Sequence, residues 1–223
     1  MTTVSPASRR IFSHPAMVAH MVMWSALNAS LMLLAFQSAH LFDIIISFAA
    51  GWILWSFTEY ALNRWLLHTG NIGALKRHHA RHHKNPEDIR YSLPHPLVVI
   101  MFSLTLLVLS MPAIGVSALS LTSGFLFGCC LFCVLHILQH HYPAPASYFL
   151  KASWQNHFLH HHRYPNKAFG VSTHLWDRLF GTLPPAHLFL GIQPLAYQTD
   201  SAALHTVLVD NPTSEEVFLN VSE

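Results

Sequence analysis

Charge is what this chain has least of. Asp, Glu, Lys and Arg make up 10% of its 223 residues, where soluble domains carry about 25%. The deficit is localised. No charged residue falls between Arg10 and Asp43, between Asp43 and Glu59, or between Arg90 and Lys151. Such runs do not suit a soluble core, because a soluble fold returns to water at every loop. Cysteine is also scarce. Cys129, Cys130 and Cys133 lie in a single apolar run, which excludes a disulfide framework and favours a role as small packing residues. Cys133 precedes His136 by one turn, so a thiolate ligand is the weaker alternative. No small-x-small cleavage site follows Arg9 and Arg10, and the first apolar run reads as a span rather than a removed signal. Nor is there a large positive excess. The net charge is +2, and anionic headgroups account for the basic residues without a nucleic acid.

Hydrophobic length stands in place of charge. A bilayer-spanning helix needs about 20 mostly apolar residues, and the uncharged runs fit four spans near residues 18–36, 44–65, 97–116 and 121–139. The fold class is therefore an all-α membrane protein. All twelve Lys and Arg lie at the N-terminus, at or beyond the end of the second span, or beyond the fourth. By the positive-inside rule both termini and the polar segments are cytoplasmic. Spans one and two, and spans three and four, are expected to pair as hairpins. Pro112 should kink or end span three, and Pro143 with Pro145 should end span four. Residues 151–162 read as a helix stopped at Tyr164-Pro165, and residues 169–182, aromatic and punctuated by glycine, as a packed cap. The expected organisation is one membrane domain over residues 1–191, with a polar cap from segments 66–91 and 142–187. A tail over 192–223 carries no chemical signature.

Nineteen histidines are present, and their spacing is the chain's chemical signal. Nine fall as His68, then His79-x-x-His82-His83, then His136-x-x-x-His140, then His157-x-x-His160-His161. Residues three and four apart share a helix face, so each cluster can aim two or three imidazoles at one point. Neutral imidazole is the commonest metal ligand, and nine are too many for one ion and suit two. His68 and His140 end spans two and four, so all nine face one compartment at one depth. No carboxylate or thiolate accompanies them. Imidazole alone suits Zn, Cu, Fe and Ni, but a structural zinc closes with four ligands, and this set fits two open ions better. His78, His141, His162 and His174 adjoin the clusters and are candidates for orienting a ligand through its other ring nitrogen. His14, His20, His40, His95, His187 and His205 read as surface or satisfied histidines.

These motifs resemble the membrane-bound fatty acid hydroxylase superfamily, relatives of the sterol desaturases, and within it the fatty acid 2-hydroxylases. The likeness runs from about Trp55 to Pro184. It includes Glu59-Tyr60-x-x-Asn63-Arg64-x-x-x-His68, the block from His79 to Pro86, and His136-x-x-x-His140. It continues with Lys151 leading into His157-x-x-His160-His161, and closes with Phe169-Gly170-Val171-Ser172-Thr173-His174-Leu175-Trp176-Asp177 and Phe180-Gly181-Thr182. The resemblance implies a di-iron, O2-dependent hydroxylase of a lipid acyl chain, with His68, His79, His82, His83, His136, His140, His157, His160 and His161 as catalytic ligands. Imidazole sites also accept zinc, which can replace iron in purified protein. One position departs. Asn63 stands where the superfamily has its first histidine; its carbonyl oxygen can bind a metal directly or through water, as in the similar membrane desaturases. Asn63 therefore counts as a tenth metal-site residue, and Glu59, one turn earlier, either orients it or pairs with a loop arginine. Eukaryotic members often carry a fused cytochrome b5 domain, and no such segment is recognisable here. The resemblance thus implies a separate electron donor of ferredoxin or cytochrome b5 type.

Other readings remain open on the sequence. A desaturase uses the same oxidant, and the superfamily also holds sterol, carotenoid and sphingoid oxidases. A histidine-rich metal-binding or metal-transport protein is an alternative of another class, although transport favours ligands along the spans. Hydroxylation is expected close to the carboxyl end of the acyl chain, since the tail stays in an apolar groove while the head lies at the interface. Trp176 and Phe180 either wall the entrance or simply pack.

Overall fold

A computed structural model describes residues 14–185, with backbone only at 148 and 149. The tail at 192–223, the end of the expected cap at 186–187, and His187 and His205 lie outside the described residues. The regular elements among the described residues are all helices, joined in the cap by turns and irregular segments: α1 (Pro15–Ser38), α2 (Leu41–Ala61) continued by a π-helical segment (Leu62–His68), α3 (Gly73–Lys84), α4 (Ile89–Ser92), α5 (Pro96–Ile114), α6 (Ser117–His141), α7 (Tyr148–His162) and α8 (Leu175–Leu179). Four of these are long and apolar enough to cross a membrane. With its relatives, described below, they make this a multi-pass membrane protein.

Local chemistry sets the span ends. Spans α1 and α5 begin alike. His14 and His95 each accept a hydrogen bond from the N–H two residues on, at 3.2 and 3.3 Å, and proline follows at the first helical position, where its missing N–H costs nothing. Pro112 sits in the last turn of α5, and the helix ends two residues later at Ile114, capped by Gly115, whose φ of 56° only glycine adopts freely.

The spans gather around α6. Both α1 and α2 pack chiefly on α6 and only slightly on each other, so the expected hairpin of spans one and two is two adjacent helices sharing one partner. Without water to drive burial, helices in a bilayer associate where backbones come close. Here Gly51 and Gly124 provide that approach: a methyl added at Gly51 would overlap the Leu121 carbonyl, and one at Gly124 the Phe48 carbonyl. On the other side Trp24 and Leu31 of α1 join Phe125, Leu126, Cys129, Cys133 and Ile137 of α6 in the core. Asn28 and Ser123 latch the two helices with reciprocal hydrogen bonds of 2.8 and 3.0 Å. Cys129 and Cys133 are buried free thiols in this packing and belong to no ligand group. Thus α6 is the mast on which the site is mounted, and its last two turns carry His136 and His140 into the polar end.

Candidate metal centre

The nine histidines converge in two adjacent groups. His82, His136, His140, His157 and His161 form one, and His68, His79, His83 and His160 the other; within each, every ring offers a nitrogen within 4.8 Å of the rest. Both His-x-x-His-His motifs divide the same way. The outer pair, four residues apart, serves one group, and the middle histidine serves the other. Helical geometry explains the division: positions i and i+4 lie 40° apart, while i+3 points 60° to their far side. The groups abut. The His83 and His161 rings stack with centroids 4.2 Å apart, and His160 meets His161 at 5.6 Å.

The donor set fits a cation. In the smaller group His79 Nε2 lies 2.9 Å from His68 Nε2 and 3.0 Å from His83 Nε2. In the larger, His140 Nε2 lies 3.2 Å from His136 Nε2 and 2.9 Å from His157 Nε2. Imidazole nitrogens so crowded satisfy one another only if alternate rings carry the proton, whereas one cation satisfies them all. Both nitrogens of His161 and Nε2 of His82 are buried without a partner. Burial, reinforced by neighbouring histidines, drives the pKa of His79, His82, His157, His160 and His161 far down and that of His83 to about 3. The rings are therefore neutral, as metal ligation requires.

Outer partners set the tautomers. His136 Nδ1 donates to the Ser92 carbonyl and His160 Nδ1 to the Lys167 carbonyl, each at 2.8 Å. A carbonyl only accepts, so the proton is on Nδ1 and the Nε2 lone pair points into the site. The Ser92 hydroxyl also meets His82 Nδ1 at 3.2 Å. The sequence reading missed both supports. A backbone carbonyl leaves no residue-type signal, and Ser92 resembles any serine near a helix end.

The π-helical segment explains a spacing that the 3.6-residue period does not. Asn63 and His68 are five apart, which puts them on different faces of an α-helix but on one face of a π-helix, whose hydrogen bonds run between residues five apart. Thr69 closes the segment, its hydroxyl donating to the Arg64 and Trp65 carbonyls at 3.2 and 3.0 Å. Asn63 Nδ2 donates to the Phe169 carbonyl at 2.9 Å, and Asn63 Oδ1 is buried with no partner.

A strap over residues 169–182 locks the ligands from outside. It starts after Ala168, a non-glycine residue at φ 55° that turns the chain directly after the Lys167 carbonyl bound by His160. Glu59 does neither of the things expected of it. Its Oε1 accepts the Val171 and Ser172 N–H groups at 3.1 and 2.8 Å, pinning the strap to α2. Asp177 does the same from within, accepting the Phe169 and Gly170 N–H groups, each at 2.9 Å, and the Thr182 hydroxyl at 2.7 Å. Gln139 and Ser153 bind the Val171 carbonyl from α6 and α7, at 3.3 and 2.9 Å. Trp176 and Phe180 prove to be packing residues. The Trp176 indole donates to Ser56 at 3.0 Å and Phe180 stacks on Tyr60, away from the cavity. Of the four adjoining histidines, His78 packs on Tyr91 and His162 on Phe158, while His141 and His174 each keep a buried nitrogen without a partner. None belongs to either group.

One cavity of about 370 Å³ reaches both groups. Trp55, Leu62, Leu66, Leu93, Val98 and Phe132 give it apolar walls, and His79, His136 and His161 are among the polar groups at its end. Leu62 and Leu66 also line a shallow groove with Phe102 on the outer surface.

Sequence comparison agrees with this architecture. The profile of the fatty acid hydroxylase family matches residues 48–182, which contain both histidine groups and the strap. The chain belongs to the fatty acid hydroxylase family. It is 33% identical over 147 residues to a dihydroceramide fatty acyl 2-hydroxylase of Arabidopsis thaliana, covering 63% of this chain and 61% of that one. It is 30% identical to the fatty acid 2-hydroxylase of Homo sapiens, over 62% of this chain and 39% of that one. The match thus spans less than two thirds of these relatives. A solved structure described as full-length scs7p, with only its hydroxylase domain visible, superimposes with a TM-score of 0.66 at 24% identity, covering 74% of this chain and 66% of that one. It shares the fold.

Proposed function

We propose that this protein hydroxylates a lipid acyl chain at carbon 2, drawing on O2 and two electrons from a separate donor. The observation that carries the reading is the apolar cavity ending on two adjacent histidine groups, in a family whose similar members are named as fatty acyl 2-hydroxylases. Both termini and the cap are assigned to the cytoplasm on the charge pattern, and residues 1–191 to one membrane hydroxylase domain followed by the tail. The larger group and the smaller group would each hold an iron ion, with Asn63 beside the smaller. When bound, the iron pair supplies activation of O2 and oxidation of an unactivated C–H bond. The reaction balances as R–H with O2, two electrons and two protons giving R–OH and water.

The chain's own residues do the rest. The cavity's aliphatic walls take the acyl tail, where burial contributes about 0.8 kcal/mol per CH2. Carbons near the lipid's polar head come to the histidine end at least cost, because the head stays at the interface. The strap holds α7 against α2 and closes the site to water. Lipid analysis of cells with and without the chain tests the reading. A gain of one oxygen at carbon 2 of long acyl chains is expected. Loss of two hydrogens would make it a desaturase, and oxygen only at mid-chain or on a ring would overturn the placement.

A further inference from the structure

The two faces of α3 have opposite chemistry. His79, His82 and His83 lie on one, serving both groups. Arg77, Arg81 and Lys84, at i, i+4 and i+7, share the other face and are exposed, with Lys76 beside them. The described residues offer little acid to offset their charge. Among the described acids, Glu59 and Asp177 are buried and bound to backbone N–H groups. Asp88 is paired with Arg90 in the only ion pair of the described residues, and Asp43 lies at the opposite end of α2. That leaves Glu87 against the whole cationic face. The direction of this face separates two possible uses. His82 packs on His136 and His140 at the end of α6, at 4.6 and 4.9 Å, so the ligand face of α3 turns toward the spans and the cationic face turns away. Cations meant for headgroups would point the other way.

From this we infer that the Arg77–Arg81–Lys84 face of α3 is the docking surface for an acidic one-electron-carrier protein. The inference rests on the proposed hydroxylation, whose two electrons must reach the metals from outside. A carrier seated here is separated from both histidine groups by one helix, whose diameter is about 10–12 Å. Charge of this kind acts mainly on encounter rate and weakens with salt.

The test uses the full chain in nanodiscs of neutral phosphatidylcholine, with a reduced plant-type ferredoxin and the soluble haem domain of a cytochrome b5 as probes. At low salt at least one probe should bind. Binding should fall about ten-fold or more in Arg77→Glu/Arg81→Glu/Lys84→Glu, and fall with added salt in the parent protein. Arg163→Glu, a similar reversal on another exposed residue, should have a smaller effect. If the triple reversal loses its metal, Arg77→Gln/Arg81→Gln serves instead, with a smaller fall expected. Binding of neither probe, or binding indifferent to both salt and substitution, would overturn the inference. So would a triple reversal that changes only association with phosphatidylserine vesicles, which would make the face a lipid contact. Failure of the proposed function is distinguished by a single turnover after dithionite reduction followed by O2. No hydroxylated lipid there counts against the reaction, whereas normal product with lost probe binding locates the docking face.

Discussion

Asn63 stands where the family resemblance implies a histidine, and its surroundings give that position a consequence. Its amide is held by the Phe169 carbonyl, leaving Oδ1 buried and unpartnered one π-helical turn before His68. The group containing His68 has four imidazoles and the other has five. Two ions held this way should differ in affinity. In Asn63→His the weaker site should tighten by about ten-fold or more, since even changes outside the ligand shell alter metal affinity by about 10–100-fold. Competition against a chelator reads this directly. A single affinity for both ions, unchanged by the substitution, would contradict it. The nine histidines were legible because their spacing is helical. Their division between two groups was not, since it depends on how α3 and α7 face each other. The role of Glu59 was misread for a similar reason: its partners are backbone N–H groups more than a hundred residues away.

At the scale of elements, the contact between α2 and α6 sets the distance between His68, at the end of the π-helical segment that continues α2, and His136 and His140 on α6. Gly51 and Gly124 sit where each helix meets a carbonyl of its neighbour. Gly124→Leu must push the helices apart, and overpacking of this kind costs about 1–3 kcal/mol. Lower thermal stability in detergent should come with lower metal content, although the substitution lies three turns from the nearest ligand. Retained metal at unchanged stability would show that α6 is not the mount described here. The run Gly124-x-x-x-Gly128 was a readable sign of close helix packing. The π-helical segment had a fainter one, in the five-residue step from Asn63 to His68.

Across the molecule, neutral buried histidines couple folding to pH. The unfolded chain's imidazoles take protons below about pH 6.5, whereas the folded rings do not, with His83 held to about 3 and His79, His157 and His161 far down. The unfolded state therefore binds more protons as pH falls through 6.5 toward 3, and stability declines over that window. Each buried ring contributes up to about 1.4 kcal/mol per pH unit. Metal-stripped protein should melt several degrees lower at pH 5.5 than at pH 7.5, with little change between 7.5 and 8.5. A melting temperature flat from 5.5 to 7.5 would mean that the rings are not buried as neutral groups without metal.

Span number, the common depth of the histidines and the family motif were determined by sequence alone, because each depends on local composition and period: uncharged length, one-sided charge, and repeats of three and four residues. Tertiary structure decided the rest. It set α6 at the centre, with α1 and α2 on it instead of on each other. It divided five rings from four, turned Trp176 and Phe180 away from the cavity, and gave Glu59 to the strap. All of these depend on contacts between residues far apart in the chain, whose geometry no local pattern encodes.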